Sequence, residues 1–213
     1  MSIRSTRLVT GEFYHIYNRG NSKQIIFSDE QDHCYFINLL KIMNTEKRIM
    51  SSRAEGKRQP EGENIVSIGA YCLMPNHFHI LLKQEKDSGV SIFMQKISTA
   101  YVMYYNKKYK RTGGMFEGKF KSKYAGEDVY LKYLYAYIHL NPLKIIDPDW
   151  IHRKLNSEKF IFFLRNYKYS SFLEYFDEGN EDNNRVINKD AFPNYFPTKN
   201  SFIREIFSWI LLN

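Results

Sequence analysis

The stretch Tyr71-Cys-Leu-Met-Pro-Asn-His-Phe-His-Ile-Leu-Leu82 decides the fold of this 213-residue chain. Pro75-Asn76, a pair that favours a tight turn, separates two runs of strand-forming residues. We therefore predict strands over residues 65–74 and 77–83 that pair as an antiparallel hairpin. Within the second strand, His77 and His79 are two residues apart, so their side chains point to the same face of the sheet.

The segments on both sides of this hairpin alternate between strand-like and helix-like patterns. Residues 12–20 and 116–124 are rich in β-formers and predict two further strands, the second with a basic face. Apolar residues at helical spacing predict helices over residues 28–45, 88–108 and 127–141. The order βαββαβ followed by a helix predicts an α+β, ferredoxin-like fold, an antiparallel sheet with helices on one face and the other face free.

The rest of the chain has a different composition. Residues 46–64 are polar and contain Gly and Pro, which predicts a surface loop. We predict that residues 8–145 form a catalytic domain. Residues 146–213 are predicted to form a C-terminal helical extension with a flexible acidic patch at 177–184.

The charge of the chain favours an anionic partner. Its 31 basic and 23 acidic side chains give a net charge of +8, which is typical of a protein that binds nucleic acid. Two cysteines, Cys34 and Cys72, are too few for a disulfide framework or a Cys-x-x-Cys zinc site. A signal peptide and a long apolar run are both missing from the sequence, so we expect a cytoplasmic protein without a membrane partner.

Much of the excess charge lies in residues 107–123, where seven basic side chains face one acid, Glu117. Basic side chains neutralise phosphates, and neighbouring aromatic rings such as Tyr101 and Tyr105 can stack on unpaired bases. We therefore predict that this segment binds single-stranded nucleic acid, although a solvated basic face is the alternative. The predicted DNA-binding residues are Lys107, Lys108, Lys110, Arg111, Lys119, Lys121 and Lys123.

The histidine pair forms half of a divalent-metal site, although a His-x-His pair in a strand is more often structural. Tyr137 and Asn141 are four residues apart on the last predicted helix and so share one face. If that face meets the histidine strand, the Asn141 carboxamide oxygen can be a third ligand. Two nitrogens and one neutral oxygen suit Mg²⁺ or Mn²⁺. A helix C-cap before Pro142 is an equally good interpretation of Asn141.

Tyr137 is also the candidate nucleophile. A tyrosine can attack a phosphate and keep the bond energy in a phosphotyrosine link, which suits cutting and rejoining. Its rivals on the same helix are Tyr130, Tyr133 and Tyr135, of which Tyr133 lies one turn before Tyr137 and Tyr135 points elsewhere.

Taken together, five motifs in this order resemble the single-tyrosine HUH transposases, and most of all the REP-associated tyrosine transposase branch. The resemblance spans about residues 8–175. The motifs are Asn18-Arg-Gly20, Tyr71-Cys-Leu-Met-Pro-Asn-His-Phe-His79, Gly114-Met-Phe-Glu-Gly-Lys-Phe120, Tyr137-Ile-His-Leu-Asn-Pro142 and Tyr169-Ser-Ser-Phe172.

This resemblance implies that His77 and His79 are the HUH motif, that Tyr137 is the nucleophile and that Asn141 is the further metal ligand. It implies cleavage of single-stranded DNA next to a hairpin, with Mg²⁺ or Mn²⁺, by a monomer or a homodimer. Insertion-sequence relatives carry glutamine in place of Asn141. Arg19, in the first motif, joins the predicted DNA-binding residues. The alternatives are a non-catalytic hairpin-binding module and a metal-dependent phosphodiesterase that uses water.

Overall fold

The computed structural model describes residues 7–47, 62–150, 157–176 and 186–211. The predicted loop at 46–64 lies mostly outside these residues, and the predicted acidic patch at 177–184 lies wholly outside them. The regular elements are β1 (Phe13–Arg19), α1 (Glu30–Ile42), β2 (Val66–Met74), β3 (His77–Gln84), α2 (Gly89–Lys108), β4 (Lys121–Tyr124), α3 (Asp128–Leu140), α4 (Ser157–Asn166), α5 (Phe172–Phe176) and α6 (Lys199–Leu211).

The four strands form one sheet in the order β2-β3-β1-β4, and every neighbouring pair is antiparallel. The hairpin closes where Met74 pairs with His77, so the predicted βαββαβ order and its central turn are confirmed. β4 is shorter than predicted, because Phe116 forms only an isolated bridge, to Gly20 just after β1. Gly118, at φ +97°, then turns the chain before β4 begins.

Side chains that alternate along the strands divide the core between the two faces of the sheet. The face formed by residues such as Tyr14, Ile16 and Phe78 is covered by α1 and α2, and the Phe36 ring of α1 lies 5.2 Å from the Phe78 ring. The opposite face carries the histidines. It was predicted to be free, but α3 packs on it against β2 and β3, since the largely apolar surface of α3 needs a partner to bury it.

The helix α1 is fixed by a polar cluster at its first turn. Asp29 and Asp32 form a capping box, in which the side chain of each residue accepts a hydrogen bond from the backbone amide of the other. The buried Asp32 carboxylate also accepts hydrogen bonds from Lys108 and Tyr109 of the α2 end. Burial alone would raise the pKa of Asp32, but these bonds and one from the Ser28 amide hold it below its usual value. Lys108 is therefore part of the α1–α2 contact.

The described C-terminal residues pack into the same core. The segment Tyr169–Ser171 runs beside the edge of β2, where the Leu73 amide donates to the Tyr169 carbonyl at 2.9 Å and the Ser171 amide donates to the Tyr71 carbonyl at 3.0 Å. Phe202 of α6 is buried, and its ring lies 5.2 Å from His139 of α3. Among the described residues, every helix is too short or too polar to cross a membrane.

Candidate active site

His77 and His79 lie at the start of β3 with one ring nitrogen each already occupied. The Nδ1 atom of His77 hydrogen-bonds to the Asn76 side-chain oxygen at 2.6 Å, and the Nδ1 atom of His79 hydrogen-bonds to the Nε2 atom of His15 at 2.9 Å. A hydrogen bond at one ring nitrogen fixes the tautomer and leaves the other nitrogen for a ligand. Both histidines can therefore present Nε2 to a metal ion.

His15 is a site residue that the sequence analysis missed. It lies on β1, it is buried, and its ring stacks on His79 with centroids 5.0 Å apart. Burial, aided by the charge of Lys123, lowers the pKa of His15 to about 4. The ring is therefore neutral at pH 7, and its Nε2 atom can accept a hydrogen bond from His79. The pattern of β1 placed His15 on a strand but could not show that it shares a face with His79.

The surroundings also keep the two candidate ligands neutral. Burial lowers the pKa of His77, and a contact with Asn141 offsets part of that effect. Burial lowers the pKa of His79 much further, with smaller contributions from His15, His77 and Lys144. Neutral imidazole is the form that binds metal ions, so the pair is in its ligand state at neutral pH.

Tyr137 of α3 lies across from this pair. Its ring centroid is 5.2 Å from that of His79 and 5.8 Å from that of His15. Burial raises the pKa of the phenol, and a contact with Asn141 lowers it in part. The structure thus brings Tyr137, His77 and His79 together.

The rival tyrosines occupy other surroundings. Tyr133 lies 5.9 Å from Tyr137, one turn earlier on the helix, and packs against Trp209. Tyr130 is one further turn away and stacks on Tyr133. Tyr135 is buried on the opposite side of α3, where its ring meets Tyr175. Of the four, Tyr137 is the one in ring contact with His79.

Asn141 is buried beside Tyr137 and His77 with an unsatisfied side chain. Both Oδ1 and Nδ2 lack a hydrogen bond of full geometry, although the carboxamide is close enough to shift the pKa of both neighbours. Asn141 is the C-cap residue of α3, as that interpretation predicted, with φ −53° and ψ −38°, and it begins the 3₁₀-helix Asn141–Ile145.

A buried polar group without a partner costs about 1–3 kcal/mol, so this carboxamide suits a ligand that is added later. The donor set of two imidazole nitrogens and one amide oxygen fits Mg²⁺ or Mn²⁺. Within the described ranges, no group of three or more His, Cys, Asp and Glu side chains could hold a metal ion. A metal ion at this site would therefore depend on Asn141 as well as the two histidines.

Lys144 is a second site residue that the sequence analysis missed. It follows Asn141 by three residues, it is half-buried, and its Nζ atom lies 5.2 Å from the centroid of the Tyr137 ring. Burial lowers the pKa of Lys144. Its charge in turn lowers the pKa of His77 and His79, which shows how close it is to the pair.

Three of the predicted DNA-binding residues lie near this site. Lys121 and Lys123 of β4 pair in register with Tyr17 and His15, so they lie on the histidine face of the sheet. Both lysines are exposed, and the Nζ atom of Lys123 lies 4.1 Å from the centroid of the Tyr130 ring. Arg19 pairs in register with His77, and its guanidinium forms an ion pair with Glu117.

The other predicted basic residues lie at the end of α2 and in the following loop. Lys107, Lys110, Arg111 and Lys119 are exposed, whereas Lys108 is bound to Asp29 and Asp32. This basic end of α2 lies near the Pro75-Asn76 turn. The Tyr105 hydroxyl donates to the Ile25 carbonyl, and the amide of the next residue, Ile26, donates to the Pro75 carbonyl. Tyr101 and Tyr105 are buried in the core, so these two rings cannot stack on bases as predicted.

Residues 47–141 match the family model described as IS200-like transposase. Among solved structures, the chain is similar to a REP-associated tyrosine transposase bound to a REP hairpin, with 14% sequence identity and a TM-score of 0.54 over 82% of this chain and 84% of that chain. At this identity the similarity shows a shared fold. A search of curated protein sequences gave no match.

Proposed function

We propose that this chain, whose residues 47–141 match the family model described as IS200-like transposase, cuts and rejoins single-stranded DNA next to a hairpin. The link to DNA would be a 5′-phosphotyrosine at Tyr137. The observation that carries this proposal is the arrangement of Tyr137 over His79, at 5.2 Å, beside the buried and unpartnered Asn141. The hairpin is proposed because the structurally similar transposase was solved bound to one.

The reaction begins with the phenol of Tyr137. Its Oη atom bonds to the scissile phosphorus, the bond from phosphorus to the 3′-oxygen breaks, and the phenolic proton ends, overall, on the released 3′-hydroxyl. Burial raises the pKa of this phenol, so the resting group is protonated at neutral pH. Because the phosphodiester energy is kept in the new bond, a 3′-hydroxyl can reverse the step and join two strands.

The metal would be held by His77, His79 and Asn141. A bound Mg²⁺ or Mn²⁺ supplies Lewis-acid stabilisation of the phosphate oxygens during the attack. The protein supplies the rest. Asn76 and His15 orient the two imidazoles through their Nδ1 atoms, and the helix face of Tyr137 sets the approach of the phenol.

The proposed DNA surface has two parts. Lys121 and Lys123 flank the histidine face, where they can neutralise phosphates of a strand that enters the site. The exposed residues at the α2 end form the second part, near the turn that precedes His77, and can hold a duplex stem. Lys108 is left out, because its ammonium is bound to two carboxylates.

The test is covalent trapping. The protein is incubated with a hairpin-bearing DNA strand and Mn²⁺, and the products are separated under denaturing conditions. A label at the 3′ end of the strand should migrate with the protein, and a label at the 5′ end should stay on free DNA, since the downstream fragment carries the 5′-phosphate. Tyr137→Phe should abolish the adduct, because the phenol oxygen is the atom that attacks.

Tyr133→Phe is the matched control, because Tyr133 lies one turn away on the same helix and is also partly buried. It should keep the adduct. An adduct that survives Tyr137→Phe refutes the assignment of the nucleophile. Hairpin binding without any adduct, with or without metal, would instead support the non-catalytic module, and turnover without a protein–DNA link would support a phosphodiesterase.

A further inference from the structure

Lys144 carries a positive charge that has no acidic partner among the described residues. Within the parts of the chain that the structure describes, no aspartate or glutamate pairs with its ammonium group. The contact made by the ammonium is with the face of the Tyr137 ring, at 5.2 Å. Lys108 differs in this respect, because its ammonium group pairs with two carboxylates.

The surroundings of this charge are otherwise neutral. The titratable groups whose charge interactions involve Lys144 are His77, His79 and Cys72, and none of them is a carboxylate. A half-buried ammonium that has lost much of its water is unfavourable without an opposite charge. Among the described residues no group supplies this opposite charge, and the ring next to Lys144 belongs to the proposed nucleophile.

We propose that Lys144 binds the scissile phosphate and stabilises the negative charge that develops on its oxygens while Tyr137 attacks. This inference rests on the proposed function, because it needs a phosphodiester at Tyr137. A lysine ammonium binds phosphate as a compact charge with three donors. Lys144 lies on the 3₁₀-helix Asn141–Ile145 that follows α3, within range of both Tyr137 and the histidine pair. A fixed charge at the position where charge builds up is an effective means of lowering a reaction barrier.

The test measures how much the charge of the scissile phosphate contributes to DNA binding through Lys144. Binding is measured in EDTA with two strands that are identical except at the scissile linkage, which is a phosphodiester in one and an uncharged methylphosphonate in the other. The proteins are Tyr137→Phe, which cannot react, and Tyr137→Phe combined with Lys144→Gln. Comparing two ligands on the same protein cancels any loss of folded material.

Lys144→Gln should weaken binding of the phosphodiester strand by about 10-fold or more, which is the usual effect of losing a hydrogen bond to a charged group. It should leave binding of the methylphosphonate strand within about twofold, since no charge is left to contact. Lys121→Gln is the matched control and should weaken both strands equally, because Lys121 lies on β4 and would contact other phosphates. Lys144→Arg should retain most of the preference for the charged strand.

Equal losses with both strands, or no loss with either, would overturn the contact between Lys144 and the scissile phosphate. The adduct assay with the unmodified protein tells this failure from that of the proposed function. An adduct without the charge-specific loss overturns the role of Lys144 alone. A charge-specific loss without an adduct supports the contact, while the proposed covalent chemistry fails.

Discussion

Replacing Asn141 with leucine should stabilise the metal-free protein and remove its response to metal. The carboxamide is 1% exposed, and neither of its polar atoms has a hydrogen bond of full geometry. Leucine has a similar volume and no polar atoms, so Asn141→Leu removes the desolvation cost. Two unsatisfied groups at about 1–3 kcal/mol each, reduced by the contacts with His77 and Tyr137, give an expected gain of about 1–2 kcal/mol.

With Mn²⁺ bound, the unmodified protein should become more stable than Asn141→Leu. A ligand at 100 times its dissociation constant stabilises the folded state by about 2.7 kcal/mol. The unmodified protein should gain this amount in Mn²⁺, and Asn141→Leu should gain little because a ligand is missing. The free energy of unfolding, measured by urea denaturation in EDTA and again in Mn²⁺, tests both statements with the same two proteins.

Asn44 provides the matched control. It is also buried, but its side chain bonds to the Val66 carbonyl and to the amides of Ile65 and Val66. Asn44→Leu should therefore destabilise the protein by about 2–3 kcal/mol in both buffers, because it leaves buried backbone groups unpaired. If Asn141→Leu lowered stability in EDTA as Asn44→Leu does, the Asn141 carboxamide would have a hydrogen-bond partner in the protein. Our interpretation of it as a group available to a metal ion would then be wrong.

Two further predictions concern the other buried histidines. Burial lowers the pKa of His139 to about 3, so the unfolded state takes up a proton at this histidine first as the pH falls below about 6.5. Between pH 7.5 and pH 5 the unmodified protein should therefore lose about 2 kcal/mol more stability than His139→Gln. Equal losses of unfolding free energy in the two proteins, measured by urea denaturation, would contradict this. His15→Phe should weaken Mn²⁺ binding by about 10-fold to 100-fold, measured by calorimetry, because His79 loses the partner that fixes its tautomer; unchanged affinity would exclude His15 from orienting the ligand.

The sheet could be predicted from local signals. The turn at Pro75-Asn76 and the alternation on both sides of it are carried by neighbouring residues, and the structure pairs Met74 with His77 accordingly. The start of the strand predicted at 116–124 was harder to place, because only the positive φ of Gly118 reveals that the chain turns before β4 begins.

The site depended on distant pairings that a local pattern does not contain. His15 and His79 are 64 residues apart, and their hydrogen bond exists only in one register of β1 against β3. Lys108 was assigned to DNA for the same reason, since its partner Asp29 is 79 residues away. The burial of Tyr101 and Tyr105 likewise depends on how α2 packs, which a helical pattern rich in tyrosine does not show.

The helix that carries Tyr137 is anchored from its far side. His139 binds the Ser171 hydroxyl at 2.8 Å, and Ser171 also bonds to the backbone of Tyr71 on β2. A helix is a rigid rod over a few turns, so a bond that stops it from rolling on one side also sets the aim of a side chain on the other. In the proposed reaction, the C-terminal segment would thus set the direction from which Tyr137 approaches the phosphate. We expect a substitution of Ser171 to slow the proposed cleavage more than it weakens the binding of metal or DNA.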